Sequence, residues 1–281
     1  MTNIIVLGDY ESVFINSPKL QSLKDLNCRI QIYSKPMSGT KVTEALKEAD
    51  IVILVRERVK LTKEILLELP NLKMISQTGS GTAHIDKVQA EKQNIFITLT
   101  GGTSGPSVVE LTFALIIGSM RMLPIHQKNL MENRWIQTPG FELQGKRLGL
   151  IGYGEVSKKV AKVASCFNME VVTWRPTGEK GDEEIKVLPL EELMKTSDVV
   201  SIHVRLVPEL KGVIDAQKLQ LMKKGSVLIN TSRGGLLDNE ELSRLLENGH
   251  LLGAGIDTFP EEPLVENIFK NAPNVLLTPH M

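Results

Sequence analysis

At 281 residues the chain has room for two ordinary domains, and with 42% hydrophobic and 23% charged residues it can bury a sizeable core and lacks the composition of a disordered protein. Its 33 basic and 33 acidic side chains cancel, so no global field is available to recruit nucleic acid or an anionic membrane. Its two cysteines, Cys28 and Cys166, are far apart, which argues against a disulfide framework or a zinc site and fits a reducing cytoplasm; no bound metal is expected.

The chain starts on an apolar strand, Ile4 to Leu7, without a basic region and cleavage site, so nothing directs export. Further short strands are predicted over 29–33, 51–55, 74–77 and 95–98, with helical patterns between them at 17–26, 41–49, 62–68 and 84–92. Such alternation implies a parallel sheet covered by helices. Two strand ends run into Gly8-Asp9 and into Gln77-Thr78-Gly79-Ser80-Gly81-Thr82. Ligands of such sheets bind at the carboxyl ends of the strands. The second stretch is read either as backbone N–H groups holding a small anion or as a loop capping a helix that starts near His84. A polar, glycine-rich break over 98–107 opens a long helix through Met122, and the domain boundary is placed there, dividing 1–100 from 101–281. The helix is apolar around its circumference (Leu111, Phe113, Leu115, Ile116, Ile117), so it is either central to the fold or part of a subunit interface, to which Trp135 would also belong. Its apolar run is far below the ~20 residues a membrane helix needs.

The stretch GLIGYGEVSKKV, Gly149 to Val160, reads as strand, tight turn and helix. In a dinucleotide site the first glycine, Gly152, makes the turn, and the second, Gly154, lets backbone approach a pyrophosphate at the helix N-terminus. Ser157 stands at the third glycine position, and Glu155 puts a carboxylate beside the N–H groups that would meet an anion. Taken alone the stretch is equally an ordinary strand-to-helix turn. Val171 to Trp174 form the next strand, and Arg175 follows where dinucleotide folds read the adenosine ribose. An acid there suits NAD, whereas a guanidinium suits a phosphate dianion, which favours NADP with NAD possible. The plain alternative is an exposed arginine without a ligand role.

Three later strands each end in a group fit for chemistry. Strand 226–230 runs into Thr231-Ser232-Arg233-Gly234-Gly235, strand 253–257 into Asp257 and Glu261-Glu262-Pro263, and strand 275–277 into Thr278-Pro279-His280. A further strand is predicted over 199–204. An arginine, a carboxylate and a histidine brought to one crevice can bind an anionic substrate, orient an imidazole and move a proton near neutral pH. Singly, Arg233 could cap a turn, Glu262 could be a solvated acid, and His280 could simply be exposed.

Five motifs in order, LGLIGYGEV at 148–156, SDVVSIHVRL at 197–206, LINTSRGGLLD at 228–238, GAGIDTFPEEPL at 253–264 and LTPH at 277–280, resemble the D-isomer-specific 2-hydroxyacid dehydrogenase family. The resemblance runs from about residue 50 to the end. It implies an α/β fold of two doubly wound parallel-sheet domains, a flavodoxin-like substrate domain and a Rossmann cofactor domain, and a homodimer. It implies hydride transfer between NAD(P) and C2 of a small 2-oxo or 2-hydroxy acid. Arg233 would grip the 2-oxo acid, and His280 would protonate the carbonyl oxygen with Glu262 favouring its charged form. The backbone of Ser80 and Gly81 would hold the substrate carboxylate. Asp257 would contact the nicotinamide carboxamide, and Gly152, Gly154, Glu155 and Val156 would line the pyrophosphate.

Three departures stand out: Ser157 for the third glycine, Arg175 where NAD-using members carry an acid, and a sequence that stops one residue after His280, where family members continue into a segment that completes the first domain. On that last point weak activity is expected. A second expectation, from another class, is a cofactor-sensing binding protein resembling the corepressors that share this fold.

Overall fold

The computed structural model describes residues 1–79, 81–101, 105–178 and 185–281. They form two compact units, 1–104 and 105–281.

The first unit alternates strand and helix: β1 (Thr2–Leu7), α1 (Pro18–Asp25), β2 (Cys28–Tyr33), α2 (Thr40–Leu46), β3 (Ile51–Val55), α3 (Lys63–Leu67), β4 (Met74–Thr78), α4 (Lys87–Lys92) and β5 (Phe96–Leu99). The strands make one parallel sheet in the order β2-β1-β3-β4-β5, the flavodoxin-like winding. Leu7, Leu46, Leu54, Leu61, Leu66 and Ile75 fill its core. The helix expected near His84 starts later. His84 itself is buried, and Asp86 caps α4 by accepting the Gln89 N–H at 2.9 Å. Asp9, fully buried at the end of β1, organises the next loop by accepting the N–H groups of Val13, Phe14 and Ile15. Arg58 donates to the Gly8 carbonyl, pairs with Glu11 and lies 4.5 Å over the Tyr10 ring; its hydrogen bonds take the Glu11 carboxyl down to about 2.

The second unit contains α5 (Gly105–Met120), α6 (Leu123–Met131), β6 (Arg147–Ile151), α7 (Glu155–Cys166), β7 (Glu170–Trp174), β8 (Lys186–Val187), α8 (Leu190–Thr196), β9 (Val199–Ile202), α9 (Ala216–Gln220), β10 (Val227–Asn230), α10 (Asn239–Glu247), β11 (Gly253–Ile256) and β12 (Val275–Leu277). Its sheet is parallel, in the order β12-β11-β10-β9-β6-β7-β8. The winding reverses between β6 and β9, which is where a Rossmann fold opens its ligand crevice. Leu150 and Ile151, adjacent on β6, enter different core clusters, as the alternation of side chains along a strand demands. Of the two readings of the apolar helix, the structure bears out the central one. Val109, Phe113, Leu115, Ile116 and Met120 of α5 are buried, and a Cβ on Gly255 would lie 2.6 Å from the Leu115 Cβ, so a glycine in β11 lets the helix press onto the sheet. The helix stops at Met120, and left-handed Met122 (φ 56°) turns the chain 65° into α6. Among the described residues no single helix is long and apolar enough to cross a membrane. Ser157 is fully buried where α7 packs on the sheet, so a small side chain suffices at the third glycine position.

Candidate active site

The crevice at the β6–β9 reversal is built by two glycines with different tasks. Gly152 has φ +96°, and a Cβ there would meet the His203 carbonyl oxygen at 2.8 Å and a Val204 methyl at 2.6 Å, so no other residue suits that turn. Gly154 is the N-cap of α7, makes no side-chain cap and faces open space. The first N–H groups of a twelve-residue helix are therefore free of a side-chain cap, beside a cavity of about 270 Å³ lined in part by Gly152, Tyr153, Gly154, Arg175 and His203. Glu155, first in the helix, is exposed, and Val156 is half-buried against the core. Arg175 follows β7, its guanidinium 5.0 Å from the Tyr153 ring centroid, with Nε buried and without a hydrogen-bond partner. An uncapped helix start, an open glycine and an unsatisfied guanidinium nitrogen fit a dinucleotide.

His203, which sequence reasoning passed over, lies at the same reversal, with Nε2 2.9 Å from Ser201 Oγ. Burial pushes its imidazole down to about 4, so the ring is neutral near pH 7.

The second cluster gathers the ends of β10, β11 and β12. His280 Nδ1 lies 2.7 Å from Glu262 Oε2, and Glu262 Oε1 accepts the Phe259 N–H at 2.9 Å. Burial opposes ionisation of Glu262 most strongly. Hydrogen bonds from His280 and Phe259, with the charges of His280 and Arg233, outweigh it and hold the carboxyl below its usual range. An ionised carboxylate can only accept, so Nδ1 is the donor and Nε2 is left to exchange a proton.

Arg233 is placed by Asn230, which sequence reasoning missed. That buried side chain accepts the Ser232 N–H and donates to the Arg233 carbonyl, each at 3.0 Å, while Ser232 Oγ donates to the Ile202 carbonyl at 2.7 Å. Gly234 follows, and a Cβ there would lie 2.0 Å from the Phe259 carbonyl carbon, so glycine alone lets the arginine turn close against the Glu262 loop. Buried Asp257 accepts from Thr278 Oγ1 at 2.6 Å and from the Met281 N–H at 2.9 Å, tying β11 to the residues flanking His280. The structure thus brings Arg233, Glu262 and His280 together and places Asp257 on the adjoining strand end.

In the first unit, Gly79 has φ +120° and a Cβ on Gly81 would run into the Glu57 carboxylate. Ser80 lies outside the described residues. Beneath this loop Gln77 bridges the Arg56 carbonyl (3.0 Å) and His84 Nε2 (3.1 Å). Arg56, left-handed at φ 58°, has a buried Nη1 without a partner, a second cation that sequence reasoning missed. Its signal, an arginine directly after a buried strand, is shared by many surface arginines.

Residues 113–281 match the family described as D-isomer specific 2-hydroxyacid dehydrogenase, NAD binding domain. A hydroxypyruvate reductase of Thermotoga maritima is 33% identical over 257 residues, covering 90% of this chain and 84% of that protein. A glyoxylate reductase of Thermococcus litoralis is 34% identical over 268 residues, covering 90% and 80%. The structure of a D-lactate dehydrogenase from Aquifex aeolicus, complexed with NAD and lactic acid, superposes with a TM-score of 0.83 at 29% identity over 99% of this chain and 88% of that one. On these matches and this fold, the chain belongs to the D-isomer-specific 2-hydroxyacid dehydrogenase family, nicotinamide-dependent oxidoreductases of 2-hydroxy acids.

Proposed function

We propose that this protein reduces a small 2-oxo acid to the D-2-hydroxy acid with a preference for NADPH. The observation that carries the reading is the Glu262–His280 pair beside Arg233, an acid/base and an anion receptor at adjoining strand ends. The nicotinamide, when bound, supplies the hydride. Arg233 binds the substrate carboxylate and polarises the C2 carbonyl through its planar set of donors. His280 delivers a proton from Nε2 to the carbonyl oxygen, and Glu262, by accepting from Nδ1, fixes the ring for that transfer. Asp257 would hold the carboxamide of the cofactor, and the backbone of Gly152, Gly154, Glu155 and Val156 would hold its pyrophosphate.

NADPH is favoured because Arg175 stands where an acid would read the unmodified ribose, and its Nε lacks a partner. The binding-protein reading draws no support from the comparisons. A homodimer contact is assigned to α6 and the segment after it, where Trp135 is 81% exposed beside exposed Met131 and Ile136.

The test is oxidation of NADPH and NADH with glyoxylate, hydroxypyruvate and pyruvate. Turnover preferring NADPH is expected. Turnover with NADH alone would keep the enzyme and refute the Arg175 assignment, and cofactor binding with no turnover of any 2-oxo acid would refute the reductase.

A further inference from the structure

The cavity at the β6–β9 reversal has a second arginine. Arg205, in the loop after β9, lines it together with Arg175, and among the described residues no acidic side chain lines it. The chain leading into Arg205 is held at two successive residues: the His203 N–H donates to the Ile151 carbonyl at 2.8 Å, and Val204 is buried with a methyl facing Gly152. Its own side chain is exposed, so a guanidinium emerges from a fixed point next to the glycine turn. His203 on the same wall is neutral near pH 7, so among the described lining residues the positive charge is that of the two arginines, with Lys158 Nζ 6.0 Å from the Tyr153 ring nearby.

A phosphate monoester carries about −1.5 to −2 near pH 7, more than one guanidinium balances. We propose that Arg205 is a specificity residue for the 2′-phosphate of NADP(H), completing with Arg175 a two-arginine receptor. The proposal rests on the NADPH reading above and extends it to a residue in the loop after a different strand. A cavity that met an unmodified ribose would instead want a carboxylate to accept from the two hydroxyls, and among the described residues none lines this one.

The experiment is calorimetric binding of adenosine 2′,5′-bisphosphate and of adenosine 5′-monophosphate, which differ only in the 2′-phosphate, to the full chain and to Arg205→Ala, Arg205→Lys and Arg175→Ala. Arg205→Ala is expected to weaken the bisphosphate roughly tenfold, in the range of one charge-assisted contact, and to leave the monophosphate within about twofold. Arg205→Lys should recover part of the loss, since it restores charge without the fork. Unchanged bisphosphate affinity in Arg205→Ala, with a loss in Arg175→Ala, would overturn the role of Arg205 and leave the NADPH reading standing. Equal loss of both nucleotides in Arg205→Ala would also overturn it. Equal affinity of the unaltered chain for both would refute the NADPH reading and the two-arginine receptor with it.

Discussion

Gly234→Ala tests how the arginine turn and the acid/base pair are held to one another. The added Cβ would lie 2.0 Å from the Phe259 carbonyl carbon, 2.3 Å from the Pro260 nitrogen and 2.5 Å from the Phe259 Cα, all backbone atoms. Ordinary carbon contacts are about 3.5–4.0 Å, so one loop must give way by roughly 1.5 Å. Overpacking that only backbone can relieve belongs at the upper end of the usual range, about 3 kcal/mol. For a unit of this size that corresponds to roughly 6–12 °C in melting temperature. The same shift acts on the Phe259 N–H that holds Glu262 Oε1 at 2.9 Å, and through Glu262 on His280 at 2.7 Å. A displacement of about 1 Å in a catalytic group can reduce the rate about a hundredfold, and that is the loss expected here. Binding of adenosine 5′-monophosphate should persist, because the Gly152–Gly154 crevice lies on another part of the sheet. Thermal unfolding, 2-oxo acid reduction and nucleotide calorimetry read the three effects. Unchanged melting with full turnover would refute the argument from close approach.

Two further outcomes follow from titrating groups. His203 is held at about 4 against an ordinary value of about 6.5, so the unfolded chain binds its proton first as pH falls; stability is full above about 6.5 and is lost on descending toward 4, by up to roughly 3 kcal/mol. His203→Gln should flatten that part of the urea-midpoint profile, and a variant as acid-sensitive as the parent would contradict the assignment. In His280→Ala the Glu262 carboxyl loses its strongest stabilising partner while burial still opposes its charge, so its titration followed by carbon NMR should move up. A carboxyl titrating as before would show that the pair is not coupled. The stability that Glu262 contributes above the carboxylate range, lost as pH falls through its lowered value, should shrink in the same variant.

The amino-acid sequence by itself determined the two parallel sheets, the glycine turn at 152–154 and the strand-end positions of Arg233, Glu262, Asp257 and His280. Those features rest on short-range causes: apolar runs that suit buried strands, glycines that suit a positive φ, and turns placed directly after strands. The apolar α5 was legible as a helix but not as the central one, because a helix apolar all round says only that every face is covered. The start of α4 was misread because His84 resembles a helix start until its burial against Gln77 and the Asp86 cap are seen.

Only the tertiary structure decided which groups meet. Gly234 looks like any turn glycine until Phe259, 25 residues later, comes against it, and Asn230 looks like a strand end until it holds both sides of the arginine turn. Arg175 and Arg205 are 30 residues apart and belong to strands on opposite sides of β6, and the reversal of the winding there brings them to one cavity. Contacts of that range are set by sheet order, which neighbouring residues do not encode, so the chemistry of single positions was readable in the sequence and their partnerships were not.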